Sequence, residues 1–270
     1  MTSFVEIVSP GWATTVQDRG RPGYAHLGVS PSGAVDPALA GLVNRLVGND
    51  TGAAVLETCG GLTVRASGAL LIASTRELTP ISLSDGATHT LEPDHKRLWH
   101  YLAIRGGIDV QPVLGSRSVD TLSGLGPPPV AVSMRLPVGN QPDQLIITDV
   151  APMGAIPVVA RVSGGPRASW FASDWQTVMT DNDWTISTSN RIGVRMTGTP
   201  IEQIRRDELP SEGLVRGAIQ MPPDGQLVMM LADHPTTGGY PVIAVVHPDD
   251  VAIVAQQIPG SSVRFRLIGE

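Results

Sequence analysis

The chain has 270 residues and a mass of 28.4 kDa, with a formal charge of −6 and only 16% charged residues. That length allows one large domain or two modest ones with buried cores, and an acidic balance without a basic block excludes a nucleic-acid footprint. Glycine (30) and proline (23) are in excess without any period, which excludes collagen and points to many short strands joined by turns.

Strand-like apolar runs, each bounded by Gly, Pro, Asp or Asn, are expected at residues 4–8, 69–73, 99–105, 145–148 and 158–162. Others follow at 184–187, 194–197, 227–231, 242–246 and 263–268. After the first strand a helix is expected over 36–48. Asp36 suits its N-cap, Pro37 the first helical position and Gly48 the stop, while Leu39, Leu42, Val43, Leu46 and Val47 form one apolar stripe. A shorter helix is expected over 249–257, with Asp249 or Asp250 at its positive end. The turn-rich stretches Gly126-Pro127-Pro128-Pro129 and Gly139-Asn140-Gln141-Pro142 lead to a boundary placed near residue 150, separating a lobe over 1–150 from one over 151–270. A doubly wound α/β sheet would need helices between strands that this pattern lacks, so the fold class is mainly β: two closed barrels or sandwiches with a few short helices.

The start of the chain shows neither a basic n-region nor an apolar h-region, and no uncharged apolar run reaches bilayer length. A single cysteine, Cys59, is compatible with a reducing compartment, and the expected location is cytoplasmic with no membrane contact. Of the 19 basic residues only Lys96 is a lysine, and no glycine loop precedes it. A P-loop, a Ser-Ser-Lys amidase triad and a biotin-carrying lysine are thereby excluded. The six histidines form no metal-binding spacing, so no metal site is expected, and neither Gly-x-Ser-x-Gly nor Gly-x-Gly-x-x-Gly occurs in a fitting context.

Three polar loops remain. The first, Gln17-Asp18-Arg19-Gly20-Arg21-Pro22-Gly23-Tyr24, reads foremost as a long loop pinned by an Asp–Arg bridge; it also packs charge among glycines whose backbone N–H groups can approach an anion that arginine forks would clamp. The second, Asp233-His234-Pro235-Thr236-Thr237-Gly238-Gly239-Tyr240, follows an apolar strand. It offers two hydroxyls, a phenol and either Asp233 or His234 as a proton acceptor, or else is a glycine-rich turn. The third, Arg105-Gly106-Gly107-Ile108-Asp109 with Gly115-Ser116-Arg117-Ser118, adds Arg105 and Arg117 as possible anion contacts, or is structural. Ser189-Asn190-Arg191-Ile192-Gly193 reads as turn chemistry.

In order along nearly the whole chain, these loops, with Gly33-Ala34-Val35-Asp36, Asn44-Arg45-Leu46-Val47-Gly48-Asn49 and Gly217-Ala218-Ile219-Gln220-Met221-Pro222-Pro223-Asp224-Gly225, resemble the biotin-dependent carboxyltransferase (KipA-like) family. Members are named as the C subunit of 5-oxoprolinase or as allophanate hydrolase subunit 2. The resemblance implies tandem cyclophilin-like β-barrel lobes and a KipI-like partner (the B subunit of 5-oxoprolinase, or allophanate hydrolase subunit 1). In the 5-oxoprolinase reading these two are joined by a third, the A subunit. ATP, with Mg, would activate a lactam carbonyl at a site completed by the partner, without covalent biotin on this chain, which would be inactive alone. The leading expectation is one subunit of an ATP-dependent amide or lactam hydrolase whose substrate is a small anion, 5-oxoproline. Arg19, Arg21 and Arg117 would contact the anion. Asp18, Asp233 and His234 would take catalytic roles, and Thr236, Thr237, Gly238, Gly239 and Tyr240 would orient the ligand. The alternatives are a carboxyltransferase subunit of the urea-carboxylase or allophanate-hydrolase type, or a non-catalytic regulator that binds a KipI-like protein.

Overall fold

The structure is a computed structural model that describes residues 3–143, 146, 150, 151, 154, 155 and 157–269. Apart from Ile146, the strand expected at 145–148 lies outside the described residues. Contacts divide the chain into two compact units: Met1–Pro22 with Ser32–Gly154, and Gly23–Pro31 with Ala155–Glu270.

The first unit contains β1 (Phe4–Pro10), β2 (Thr15–Gln17), α1 (Pro37–Leu46), β3 (Val55–Thr58), β4 (Leu62–Ser67), β5 (Leu70–Ser74), β6 (Pro80–Leu83), β7 (Thr88–Leu91), β8 (His100–Ile104) and β9 (Arg135–Pro137). Its ladders fall into two antiparallel sheets, ordered β7-β4-β1-β9 and β2-β3-β8-β5-β6. Alternation sends Val5 and Ile7 of β1, and Leu62, Val64 and Ala66 of β4, to one face. They share one apolar core with Leu56, Ile72, Leu102 and Ile104 of the second sheet. Helix α1 starts as the sequence predicts: Asp36 Oδ1 accepts from Leu39 N at 3.1 Å, Pro37 opens the helix, and Gly48 follows its end at φ +70°.

The second unit contains β10 (Val159–Gly164), α2 (Trp175–Asp181), β11 (Trp184–Ser189), β12 (Gly193–Thr197), β13 (Glu212–Gly213), β14 (Ala218–Gln220), β15 (Leu227–Met230), β16 (Thr237–Gly238), β17 (Val242–Val246), α3 (Val251–Ala255) and β18 (Ser262–Leu267). Seven of these strands close a barrel in the order β10-β17-β14-β15-β12-β11-β18, completed by a parallel pairing of β10 with β18 that sets Ala160 opposite Phe265. Its buried side chains alternate along the strands, as in Val194 and Met196, Leu227 and Met229, and Val263 and Phe265. Glu212–Gly213 and Thr237–Gly238 form a separate two-stranded ribbon.

The helix expected over 249–257 is α3, entered through a 3₁₀ turn at Pro248–Asp250. Asp250 does more than face its positive end. Its carboxylate accepts from Arg161 N (2.7 Å), Nε (2.7 Å) and Nη2 (2.8 Å), tying the helix to β10. Those hydrogen bonds hold the Asp250 carboxyl below its ordinary value. A depressed folded-state pKa contributes stability above the unfolded value of 3.8, and that contribution is lost as pH falls through the folded value. Asp250→Asn should therefore flatten the acid limb of the stability–pH curve below about pH 4, read by urea midpoints. An unchanged limb would show that another carboxylate governs it.

Candidate functional site

The glycine-rich loop of the first unit binds a carboxylate, and the carboxylate is its own. Asp18 Oδ1 accepts from Gly20 N (2.7 Å), Ser116 Oγ (2.6 Å) and Ser118 Oγ (2.6 Å), while Oδ2 accepts from Arg117 N (2.6 Å). Four donors from two loops thus converge on one side chain, and Ser118 Oγ also accepts from Asp18 N at 2.9 Å. The loops need glycine to come this close: a Cβ on Gly33 (φ +88°) would sit 2.9 Å from Gly20 N.

The arginines around this nest are engaged locally. Arg19 is two-thirds exposed and pairs with Asp50 at 3.0 Å, donating also to Thr51 Oγ1 at 2.6 Å. Arg117 donates to Asp109 Oδ1 (2.6 Å) and to the Val110 carbonyl (2.8 Å). Arg21 is buried and donates to the carbonyls of Val113 (3.3 Å) and Ser118, while its Nη1 has no hydrogen-bond partner among the described residues. Arg105 is likewise turned onto carbonyls, those of Val47 (2.7 Å) and Pro142 (2.6 Å). A further buried cluster of this unit was not legible in the sequence. Glu57 Oε2 accepts from Val35 N (2.7 Å) and from Tyr101 Oη (2.8 Å), and Tyr101 Oη accepts from Asp36 N (2.7 Å). Burial first, then the Glu57 charge, pushes the Tyr101 phenol well above its ordinary value, so it serves as a neutral donor.

The second unit brings the other predicted residues together. Asp233 follows β15, and its carboxylate is gripped in two-point fashion by Arg191, with Nε–Oδ2 at 2.8 Å and Nη2–Oδ1 at 2.9 Å. Both residues are buried, and Asp233 N donates to the Arg191 carbonyl at 2.9 Å. Asn190 does perform the predicted turn chemistry, accepting from Ile192 N and Gly193 N, but Arg191 turns inward from that same turn. Next in sequence, His234 places Nδ1 at 2.8 Å from the Pro235 carbonyl. A carbonyl only accepts, so Nδ1 carries a proton and donates it there.

Beyond it the backbone runs into the ribbon. Leu214 N donates to Thr236 O (2.9 Å), Thr237 faces Gly213, and Gln220 Nε2 donates to Tyr240 O (2.9 Å). A Cβ on Gly238 would meet Gln220 Nε2 and Leu214 Cδ1 at 2.8 Å, so a larger residue there would have to displace those two side-chain ends. The half-exposed Tyr240 and Gly239 then border a cavity of about 820 Å³. Trp170, Ile201, Met221, Pro222, Pro223 and Pro241 supply its apolar walls, and Glu202, Arg206, Asp207, Glu208 and Asp224 its charges. That volume falls in the range of small-molecule sites, about 300–1,000 Å³. A smaller cavity of about 400 Å³ beside Gly164, Phe171 and Trp175 has no charged side chain in its lining. Among the described residues no three His, Cys, Asp or Glu side chains converge as a metal site would require, and no helix is long and apolar enough to cross a membrane.

Comparison with known proteins places this architecture. Residues 27–267 match the family described as carboxyltransferase domain, subdomain A and B. The chain belongs to that family. This carboxyltransferase-domain protein is 33% identical to the C subunit of 5-oxoprolinase from Escherichia coli, over 97% of this chain and 90% of the relative. It is 31% identical to the urea amidolyase of Lachancea kluyveri over 96% of its own length but only 17% of the larger protein. Among solved structures, the Kluyveromyces lactis urea carboxylase superposes with a TM-score of 0.90 at 26% identity, covering 98% of this chain and 27% of that one.

Proposed function

We propose that this carboxyltransferase-domain protein is one subunit of an ATP-dependent amide or lactam hydrolase that works with a KipI-like partner and opens 5-oxoproline to glutamate. The observation that carries the reading is the near end-to-end match with the C subunit of 5-oxoprolinase, 97% of one chain against 90% of the other. In this reading the substrate lies in the Tyr240 cavity. Tyr240 and Gly239, which line that cavity, orient it, while Thr236 and Thr237 stand outside its lining and fix the loop through their pairing with Leu214 and Gly213. Opening the lactam forms a C–O bond from water to the carbonyl carbon and breaks the C–N bond, whose nitrogen leaves protonated. Asp233 holds the turn through Arg191, and Asp18 organises its own loops.

ATP, when bound, would supply activation of the lactam oxygen. Among the described residues, neither the lone lysine nor the glycine loop fits a triphosphate: Lys96 is exposed in a turn where its backbone N–H bonds Asp94 Oδ1 at 2.8 Å, and the glycine-loop donors are spent on Asp18. The nucleotide is therefore assigned to the partner. A second reading, the carboxyltransferase half of a urea-processing system, is favoured by the 0.90 TM-score to urea carboxylase. Co-expression with the KipI-like protein and the third component of a 5-oxoprolinase, followed by assays of 5-oxoproline, allophanate and urea with ATP, separates the two. ATP-dependent glutamate release from 5-oxoproline is expected. A stable complex active on none of the three would instead leave a binding protein.

A further inference from the structure

We propose that Arg206 recognises the carboxylate of the substrate, an inference that rests on the reading that the substrate lies in the Tyr240 cavity. The cations named for this task by sequence are already engaged: Arg19 with Asp50, Arg117 with Asp109, and Arg21 buried against two carbonyls. None of the three lines the cavity, and Arg206 does. Two of the cavity's carboxylates have arginine partners of their own, Asp207 with Arg205 at 2.6 Å and Asp224 with Arg195 at 3.8 Å. Arg205 is committed further, lying 4.8 Å over the Trp170 ring. Arg206, exposed at the cavity wall, has no ion pair or side-chain hydrogen bond among the described residues, and neither have Glu202 and Glu208.

The cavity therefore presents one uncommitted guanidinium, two uncommitted carboxylates and apolar walls of proline and tyrosine. A guanidinium fork takes a carboxylate in two-point fashion, and a free carboxylate accepts from an N–H. The complementary ligand is a small, compact molecule carrying a carboxylate beside an N–H group on an apolar ring. 5-Oxoproline has that pattern, and so would any cyclic amino-acid amide. Urea, which has no carboxylate, lacks half of it, so Arg206 also separates the two readings of function.

The test uses the assembled complex with Arg206→Gln, Arg206→Lys and the wild type, with 5-oxoproline as substrate and the uncharged lactam 2-pyrrolidinone as competitive inhibitor. Losing a charge-assisted hydrogen bond of ordinary strength weakens binding by about tenfold to hundredfold. Arg206→Gln should raise KM for 5-oxoproline by about that factor with little change in kcat, and Arg206→Lys should recover part of the loss. The inhibition constant of 2-pyrrolidinone should stay within about twofold, because that ligand has nothing for Arg206 to hold. An unchanged KM overturns the assignment, and so does an equal weakening of both ligands, which would mean that the cavity itself had been distorted. If the variant fails while wild type turns over 5-oxoproline as expected, only the role of Arg206 is in question. If the wild-type complex neither binds nor hydrolyses 5-oxoproline, the proposed function falls and Arg206 falls with it.

Discussion

Asp233→Ala should destabilise the barrel unit by about 3–5 kcal/mol, the largest single-residue effect expected in this chain. The reason is asymmetry. Arg191 and Asp233 are both out of water and satisfy each other through two parallel bonds at 2.8 and 2.9 Å. Removing the carboxylate takes the two-point partner from a buried guanidinium, whereas removing both side chains together strands neither half of this pair. Arg191→Met should be as damaging as Asp233→Ala, and the double variant Arg191→Met with Asp233→Leu should lose clearly less than the sum of the two single variants. Thermal melts of the four proteins complete the cycle. At roughly 3–5 °C per kcal/mol for a unit of this size, the single variants should melt about 10–20 °C early. Additive losses in the double variant would mean that the two side chains do not act as a pair. If the double variant is stable but the complex loses activity, the pair is kept for aiming the His234–Tyr240 loop rather than for holding the barrel together.

The second large effect is expected at Asp18. Its carboxylate joins residues 18–20 to residues 116–118 through two backbone N–H groups and two hydroxyls. Hydrogen bonds to a charged group contribute about 1.5–3 kcal/mol each when dry, and water can replace part of that at a half-buried side chain. Asp18→Ala should therefore cost the first unit about 2–4 kcal/mol, and Asp18→Asn, which keeps one acceptor oxygen, about half as much. Urea unfolding followed by circular dichroism measures both. Equal losses in the two variants would argue that charge, rather than the count of acceptors, holds the loops. Unchanged stability would show that the nest serves something other than the fold.

The two predictions also mark where sequence reasoning ends. Longer strands flanked by turn residues, such as β1, β8 and β17, are legible because their apolar residues stand out from the turn chemistry around them. The three- and four-residue strands β2, β3 and β14 are buried on both faces, so no alternation marks them, and β3 even carries the buried charge of Glu57. Helix α1 is legible to its caps because Asp36, Pro37 and Gly48 act locally. Helix α2, with no capping side-chain bond at Asp174, has no such signal.

The polar loops divide in the same way. Their composition marks them as special, but which charge meets which depends on pairing across the chain. Asp18 reaches residues about 100 positions away, and Arg191 meets Asp233 only because β12 and β15 run antiparallel, with Gly193 opposite Met230. Given that register, two opposite charges just beyond paired strand ends would have been a usable signal. Arg206 had none, lying in an irregular stretch between Pro200 and Leu209 where neither period nor motif points inward.

The closure of the barrel by β10 and β18 bears on how the protein is made. Synthesis delivers β10 first among the seven staves and β18 last, yet these two are neighbours, and β18 also pairs with β11. A nascent chain in which Ser262–Leu267 is still inside the ribosome holds six staves with two unsatisfied edges, at β10 and β11. Closure pairs residues about a hundred positions apart, the kind of contact that slows folding most. The barrel unit is thus completed only after its final strand emerges, and until then its open edges are the surface a chaperone, or a second nascent chain, would meet.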